Sequence, residues 1–253
     1  MKRFLKLCLA AAVWSAVAIP PPALAYNLQP IVVQLSPAGA GSSQMLTLTN
    51  THEVPIAIEV KAYRREQQPD GTDRLVPEEE DLIIYPPQMV IPAQQSQTFK
   101  VQWVGEPNPE RELAYRIVTE QLPIKFESQE VDGRKADLTM RYRYEAALYI
   151  MPNGATPLAE LVSATSVAAE DGTRMLELHI ASKGTMRAIL DDPTLVLSPA
   201  SGAPITLSGD DTKPLVGLNI LPGVERVVRI PAPSGIGDGP VPAQLQASYI
   251  ELR

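Results

Sequence analysis

The chain has 253 residues and a formal net charge of −7, and 45% of its residues are hydrophobic. This hydrophobic content excludes a disordered chain, and the negative charge argues against a general nucleic-acid binder. Its 25 prolines are spread along the sequence. A proline inside a helix removes a hydrogen bond and clashes with the preceding turn, whereas short strands separated by turns accommodate it. The composition therefore predicts a mostly β protein of one or two domains.

The first 25 residues have the pattern of a secretory signal peptide. A positively charged start precedes an apolar centre, Leu7–Ala18, and a small-residue cleavage site, Ala23–Ala25. The alternative is an N-terminal membrane anchor, but the apolar centre is short for a span and the cleavage site argues against it. The only cysteine, Cys8, lies in this segment, so we expect a mature chain without disulfides. The sequence predicts a periplasmic protein that is not embedded in a membrane.

Apolar and polar residues alternate with a period of two, which is typical of strands that are buried on one face. The clearest runs are Leu46–Thr49, Ile56–Lys61 and Thr98–Trp103. Helical periodicity does not extend beyond about two turns anywhere. Dipeptides that end in glycine mark the turns between strands: Asp70-Gly71, Asp132-Gly133, Asn153-Gly154, Asp171-Gly172 and Pro222-Gly223. The pattern predicts β-sandwiches.

The composition of the strands changes near Met151–Gly154. Strands before this point contain Tyr, Arg and Glu, whereas those after it are rich in Ala, Leu, Pro and Ser. A β-sandwich takes about 100 residues. We therefore predict an all-β chain with a signal peptide at 1–25, an N-terminal sandwich domain at 26–153 and a C-terminal sandwich domain at 154–253.

The sequence offers few residues for catalysis or metal binding. His52 and His179 have no second histidine or cysteine at zinc-ligand spacing, so both are interpreted as surface residues. Gly235–Gly239 opens no helix and is interpreted as a loop, not a phosphate site. The acidic run Glu78–Asp81 lacks the spacing of a calcium loop and is interpreted as a solvated connection. Nucleophile motifs are also missing, so we predict a binding protein without metal or cofactor, and not an enzyme.

The stretch from Tyr85 to Pro152 carries the most informative pattern. A proline-bounded strand is followed by an alternating strand, Phe99–Trp103, and then by E-x-x-Y-R-I-x-x-E-x-L-P at Glu112–Pro123. Together with Asn50 and Leu148–Pro152, this order closely resembles the periplasmic chaperones of the chaperone–usher pilus pathway. The resemblance is strong in the first predicted domain and weak in the second.

The resemblance implies two immunoglobulin-like β-sandwich domains set at an angle, with a binding cleft between them. It also implies the partners, which are pilin or fimbrial subunits and an outer-membrane usher. In such chaperones a strand is lent to an incomplete subunit sandwich, so that backbone hydrogen bonds extend a sheet and alternate side chains enter the open groove. A self-capping dimer is a further expectation, because an exposed apolar strand needs a partner.

The expected donor strand contains four apolar residues on one face, with Arg141 and Arg143 on the other. The resemblance implies that these four are the donor side chains, and the alternative is that they face the core of their own domain. They are Leu138, Met140, Tyr142 and Tyr144.

Most members of this family hold the subunit's C-terminal carboxylate with two cations. The corresponding positions here are Gln34 and Ala147, and neither residue is cationic. Because a buried carboxylate needs a charge-assisted partner, Arg116 is the first candidate anchor, with Arg141 and Arg143 in reserve. The alternative for Arg116 is an ordinary ion pair.

The ion network that joins the two domains in this family is also incomplete. Glu112 and Asp238 match its acidic members, but Met151 occupies its arginine position. The resemblance therefore implies a less firmly set angle between the domains, in a divergent branch for which a non-classical lineage is one option.

Two other functions remain open at this point. A self-assembling structural or adhesive cell-surface β-sandwich protein is the main alternative, and the missing cations favour it slightly. A secreted sandwich hydrolase lacks any nucleophile–base pair.

Overall fold

The computed structural model describes residues 26–124, 141–200 and 202–251. The predicted signal peptide, the Asp132-Gly133 turn, Leu138 and Met140 lie outside the described residues. In the described part of the chain, strands dominate and the only helices are two short 3-10 segments, Gly39–Ser42 and Gly209–Leu215. Neither of these helices is long or apolar enough to span a lipid bilayer. The prediction of an all-β fold is confirmed.

The strands before residue 151 form two sheets, which we call the N-terminal sandwich. One sheet has the order β1-β3-β8-β6, and the other has the order β2-β10-β9-β4-β5, with β7 also paired to β4. The strands are β1 (Asn27–Gln29), β2 (Val32–Leu35), β3 (Ser43–Thr49), β4 (Ile56–Gln67), β5 (Asp73–Pro77), β6 (Leu82–Tyr85), β7 (Gln88–Ile91), β8 (Ser96–Trp103), β9 (Leu113–Gln121) and β10 (Arg143–Ile150).

The alternating runs of the sequence build the core of this sandwich. Leu46 and Leu48 on β3 lie opposite Phe99 and Gln97 on β8, and the three apolar members of this group are fully buried. From the facing sheet, Ile58 on β4 and other apolar residues close the same core. Burial of each such side chain contributes about 1.5–3 kcal/mol relative to exposure, so the alternation fixes which face of each strand turns inward.

The strands after residue 158 form the C-terminal sandwich. Its first sheet has the order β16-β12-β11-β17, and its second has the order β14-β13-β15 with β18 also paired to β13. The predicted domain boundary lies between β10 and the first of these strands. The strands of the C-terminal sandwich are β11 (Ala159–Ala168), β12 (Arg174–Ser182), β13 (Ala188–Leu197), β14 (Ile205–Leu207), β15 (Asn219–Ile220), β16 (Glu225–Pro231), β17 (Gly239–Pro240) and β18 (Ala243–Tyr249).

The N-terminal segment contributes to both sheets of the N-terminal sandwich. β1 pairs antiparallel with β3, whereas β2 pairs parallel with β10 in the opposite sheet. The chain therefore changes sheets between Gln29 and Val32. As a result, β2 lies along part of β10, opposite Ala147–Ile150.

The acidic run is less solvated than the sequence suggested. Glu78 is buried, and its Oε1 accepts hydrogen bonds from the backbone N–H groups of Glu80 and Asp81 at 3.1 and 3.0 Å. Its Oε2 accepts one from Arg64 at 2.8 Å. Burial disfavours the carboxylate, but these hydrogen bonds outweigh it and lower the pKa of Glu78. The interpretation as a wholly solvated connection was therefore wrong for Glu78, which caps a tight turn into β6.

Candidate functional site

The strand β10 has one open edge. Along Arg143–Ile150 it pairs antiparallel with β9, but on its other side β2 pairs only with Ala147–Ile150. Among the described residues, no strand pairs with the outer edge of Arg143–Ala146. The N–H of Ala147 donates to the carbonyl of Ile31 on that outer side. Because alternate residues of a strand direct their backbone groups to the same edge, those of Arg143 and Glu145 face outward too.

The predicted donor residues Tyr142 and Tyr144 lie at the start of this open edge. Both are half-buried and pack against the core of their own sandwich. The ring of Tyr144 meets that of Tyr26 edge to face at 4.7 Å, and the ring of Tyr142 lies 5.6 Å from that of His52. These two tyrosines thus have contacts within their own sandwich.

Tyr26 packs into the N-terminal sandwich beneath Tyr144. It is fully buried, and its hydroxyl donates to the carbonyl of Thr119 at 2.7 Å. Burial raises the pKa of its phenol to about 12. The hydroxyl is also 3.5 Å from the carbonyl of Tyr142, whose main ladder partner is the N–H of Gln121. The Tyr26 hydroxyl therefore contacts both β9 and the residue that precedes β10.

Gln34 and Ala147, the two positions at which the resemblance implies a cation, lie on neighbouring strands. Gln34 on β2 is opposite Tyr149 on β10, and Ala147 on β10 is opposite Val32 on β2. On its other side Ala147 is opposite Arg116 on β9. Side chains of directly opposite residues lie on the same face of a sheet. Arg116, the first candidate anchor, therefore shares a face of the sheet with Ala147.

Arg116 belongs to a cluster of charges on this face of the sheet. Its Nη2 lies 3.2 Å from Oδ2 of Asp73 on β5, and its Nε lies 3.8 Å from Glu145 on β10. Nε of Arg65 on β4 donates to the same Oδ2 of Asp73 at 2.7 Å, and Nη1 of Arg65 donates to the hydroxyl of Tyr149 at 3.3 Å. Arg65 and Asp73 were not among the residues singled out from the sequence.

The two reserve candidates differ from Arg116 in exposure. Arg143 is exposed and pairs with Glu120 at 3.1 Å and with Glu145 at 3.0 Å. Arg141 is also exposed, at the first described position after the gap. Both lie on the open-edge side of Ala147, so they remain reserve candidates.

The two sandwiches are joined by a buried ion pair. Nη1 of Arg187 donates to Oε2 of Glu112 at 2.7 Å, and both side chains are almost fully buried. The guanidinium lies 3.8 Å from the ring centre of Tyr149 and 3.6 Å from the sulfur of Met151. Burial raises the pKa of Glu112, and the charge of Arg187 opposes that rise.

This pair corrects the expectation of a weakened interdomain network. Arg187, from the C-terminal sandwich, supplies a guanidinium beside Met151, the position at which the resemblance implies an arginine. Asp238 does not take part, because it pairs with Arg174 within the C-terminal sandwich. The interpretation of Asp238 as a network member was therefore wrong, while Glu112 has the predicted role.

The β4–β5 hairpin provides further contacts between the sandwiches. The Gln67 amide donates to the carbonyl of Asn219 at 2.9 Å and accepts from the N–H of Leu221 at 3.0 Å. The carbonyl of Pro69 accepts from the N–H of Val227 at 2.8 Å. Next to these contacts an open cleft of about 540 Å³ separates the sandwiches; its lining includes Arg65, Arg111, Glu112, Tyr115, Leu221 and Pro222.

Among the described residues, no group of three or more His, Cys, Asp or Glu side chains could hold a metal ion. His179 is partly exposed, with its Nδ1 2.7 Å from Glu225. This contact raises the pKa of His179. Burial lowers the pKa of His52, so the two histidines differ in their response to pH.

Comparisons with known proteins agree with this arrangement of two sandwiches. The chain is similar to the class 5 fimbriae chaperone CfaA, with a TM-score of 0.53, 15% identity, and coverage of 90% of this chain and 100% of that one. It is also similar to a chain of the CsuC–CsuE chaperone–tip adhesion subunit pre-assembly complex from Acinetobacter baumannii, with a TM-score of 0.54, 15% identity, and coverage of 83% and 89%. The E. coli chaperone DraB matches with a TM-score of 0.50, 15% identity, and coverage of 91% and 97%. No curated protein is significantly similar in sequence.

These likenesses define a two-sandwich chaperone fold. Residues 29–156, just over half of the 253-residue chain, match the model of the pili and flagellar-assembly chaperone family, PapD N-terminal domain. The chain belongs to this family. The family consists of assembly chaperones and not of enzymes, so the prediction that the protein is not an enzyme is confirmed.

Proposed function

We propose that this protein is a periplasmic chaperone that stabilises pilus or fimbrial subunits by lending them a strand and delivers them to an outer-membrane usher. In this proposal residues 1–25 direct export, and the mature chain has domains at 26–153 and 154–253. The observation that carries the proposal is the open outer edge of β10 at Arg143–Ala146. Such an edge presents backbone groups that pair with a strand of another chain.

The predicted donor segment runs directly into this edge in the sequence. Leu138 and Met140 continue the alternation of Tyr142 and Tyr144, so a subunit strand that pairs with β10 would extend along them. Tyr142 and Tyr144 contact their own core, and donation by them requires exchange of those contacts. Leu138 and Met140 therefore provide the sharper test of donation.

Arg116 is the anchor that we propose for the subunit's C-terminal carboxylate. It lies opposite Ala147, where the covered part of the β10 edge gives way to the open part. A strand added at Arg143–Ala146 has its end close to this position. Arginine can bind a carboxylate through two parallel hydrogen bonds, which suits it to hold a chain terminus.

The proposal is tested by isolating tagged mature protein from its own periplasm and identifying co-purified proteins by mass spectrometry. The Leu138→Glu/Met140→Glu variant is compared with Thr139→Glu, which adds charge to the opposite face of the same segment. We expect a small exported β-rich protein in stoichiometric amount with the wild type and with Thr139→Glu, and its loss from the double variant. Equal capture by all three proteins would refute donation by Leu138 and Met140.

A self-assembling structural protein predicts a different result in the same experiment. The open edge of β10 could pair with a second copy, and Ile31 beside it is two-thirds exposed. Concentration-dependent oligomers without a second protein, unchanged in the double variant, would favour this alternative over the chaperone.

A further inference from the structure

Arg116 is the proposed anchor, but one end of its guanidinium contacts a carboxylate on the far side of its strand. Asp73 lies on β5, and the strand order places β4 between β5 and β9. Nη2 of Arg116 is 3.2 Å from Oδ2 of Asp73, whereas its Nε is 3.8 Å from Glu145 on β10, so the Nη2 end of the guanidinium is directed toward β5 and away from the open edge. Arg65, which is almost fully buried, holds Asp73 in place from β4.

Asp73 is an incompletely satisfied partner for these two arginines. Both guanidinium groups contact the same oxygen, Oδ2. The other oxygen, Oδ1, is buried and has no hydrogen-bond partner. A carboxylate that can orient freely accepts hydrogen bonds through both oxygens, and a buried acceptor without a partner is unfavourable. A mobile chain terminus can thus offer Arg116 a better partner than Asp73 does.

The surroundings of Arg116 permit movement toward β10. Ala147, directly opposite, has a side chain too small to obstruct the guanidinium, and a strand added to β10 lies roughly 10 Å from β9. Glu145 on this side would repel an incoming carboxylate, but Arg143 pairs with Glu145 at 3.0 Å and offsets part of its charge.

We propose that Asp73 is a specificity-determining residue that competes with the C-terminal carboxylate of an incoming strand for Arg116. This inference rests on the proposed function, because it assumes that a strand pairs with the open edge of β10. A ligand that brings both a strand and a free terminal carboxylate displaces Asp73. A strand without a terminal carboxylate leaves Arg116 bound to Asp73 and gains only the backbone pairing.

The test uses two fluorescein-labelled octapeptides of alternating threonine and valine, one ending in a free carboxylate and the other in an amide. Binding of each to the mature protein is measured by fluorescence anisotropy. Asp73→Asn removes the competing charge, and Asp73→Glu retains it. Glu66→Gln is the matched control, because it removes one charge from the same hairpin, where Glu66 pairs with Arg74 and not with Arg116.

We expect Asp73→Asn to bind the carboxylate peptide ~5-fold more tightly than the wild type does, the size of one partly exposed ion pair. Binding of the amide peptide is expected to be unchanged, and Asp73→Glu and Glu66→Gln should resemble the wild type. Thermal melting checks that each variant is folded. If Asp73→Asn shows no greater preference for the carboxylate peptide than the wild type, the inference is overturned.

Arg116→Gln distinguishes a failure of this inference from a failure of the proposed anchor. If Arg116→Gln abolishes the preference for the carboxylate while Asp73→Asn does not increase it, the anchor stands and the competition is refuted. If Arg116→Gln retains the preference, the anchor assignment fails as well. Loss of strand donation itself is detected separately, by the capture experiment with Leu138→Glu/Met140→Glu.

Discussion

Two of the arginine–carboxylate clusters among the described residues differ mainly in their exposure to water. The Glu112–Arg187 pair joins the sandwiches, and its side chains are 0% and 3% exposed. In the cluster of charges around Arg116, the side chains of Arg116 and Asp73 are 17% and 22% exposed. A fully buried charge cannot be left without its partner, whereas a partly hydrated one can change partners at modest cost. The first cluster is therefore suited to fixing two domains, and the second to exchanging one carboxylate for another.

The largest effect is expected from breaking the buried pair. Arg187→Ala leaves the Glu112 carboxylate in a site that water does not reach, and this should lower the free energy of unfolding by about 3–5 kcal/mol. Urea unfolding followed by circular dichroism measures the change. Arg229→Ala is the control, because its pair with Glu177 is largely exposed and should contribute below about 1 kcal/mol.

The double variant Glu112→Leu/Arg187→Met tests the explanation. Because it removes both charges together, it should be less destabilised than Arg187→Ala alone. A double variant as unstable as the sum of the two single ones would mean that packing around Tyr149, and not charge burial, dominates at this interface.

A smaller effect is expected at the neutral contact beside the pair. Gln67→Ala leaves the buried N–H of Leu221 without its acceptor, which should cost about 1–3 kcal/mol. Hydrogen exchange at the Leu221 amide should accelerate correspondingly. Gln68 is the control, because its side-chain amide donates to the carbonyl of Glu66 within the hairpin. Gln68→Ala should therefore leave this exchange rate unchanged.

The cluster of charges around Arg116 should contribute least of the three to stability. Asp73→Asn is expected to change the free energy of unfolding by about 1 kcal/mol or less, because Asp73 and Arg116 are partly exposed and the asparagine oxygen can still accept the hydrogen bond of the largely buried Arg65. Urea unfolding beside Arg187→Ala gives the comparison directly. A loss as large as that of Arg187→Ala would show that Asp73 is a fixed structural element, and its exchange for a ligand carboxylate would then be untenable.

The smallest effect is a dependence on pH that has opposite signs at the two histidines. Glu225 raises the pKa of His179, so its contribution is present below the unfolded pKa of about 6.5 and is lost as pH rises through the folded value. Burial lowers the pKa of His52, which therefore destabilises the fold as pH falls. Each contribution should be a few tenths of a kcal/mol.

Melting temperatures of His179→Gln and His52→Gln at about pH 5.5 and about pH 8 separate the two contributions. Relative to the wild type, His179→Gln should lose stability at the lower pH, and His52→Gln should gain it there. The same sign for both variants would contradict the assignment.

Much of the N-terminal sandwich could be predicted from local alternation. The alternating run Thr98–Trp103 lies within β8, and Phe99, Val101 and Trp103 are buried as their spacing indicates. Alternation of apolar and polar residues indicates which face of a strand is buried, and it does not depend on knowing the neighbouring strands. Burial of Glu78 was missed because its partners are backbone N–H groups, which every residue carries.

The charged clusters were only partly predictable, because they depend on strand register. Arg116 was selected through the family pattern, but its neighbours come from β4, β5 and β10, whose alignment no local spacing reveals. Arg65 follows another arginine, Arg64, in the sequence. Only the pairing of β4 with β9 shows that Arg65, and not Arg64, shares a face with Arg116. Arg187 lies 75 positions from Glu112, in a segment with no motif that marks it.

The change of sheets made by the N-terminal segment has a consequence for any chain that is added to β10. β2 already occupies the edge from Ala147 onward, so an added strand has to terminate or turn away at that residue. If β10 pairs with an added strand as proposed, β2 fixes the position of one end of that strand. It thereby determines which residues of the added strand face Leu138 and Met140. Shortening β2 by two residues should shift the register of the added strand against β10 by two residues, so the same side chains of the added strand remain on the same face. Shortening β2 by one residue should shift the register by one and place the opposite side chains on that face.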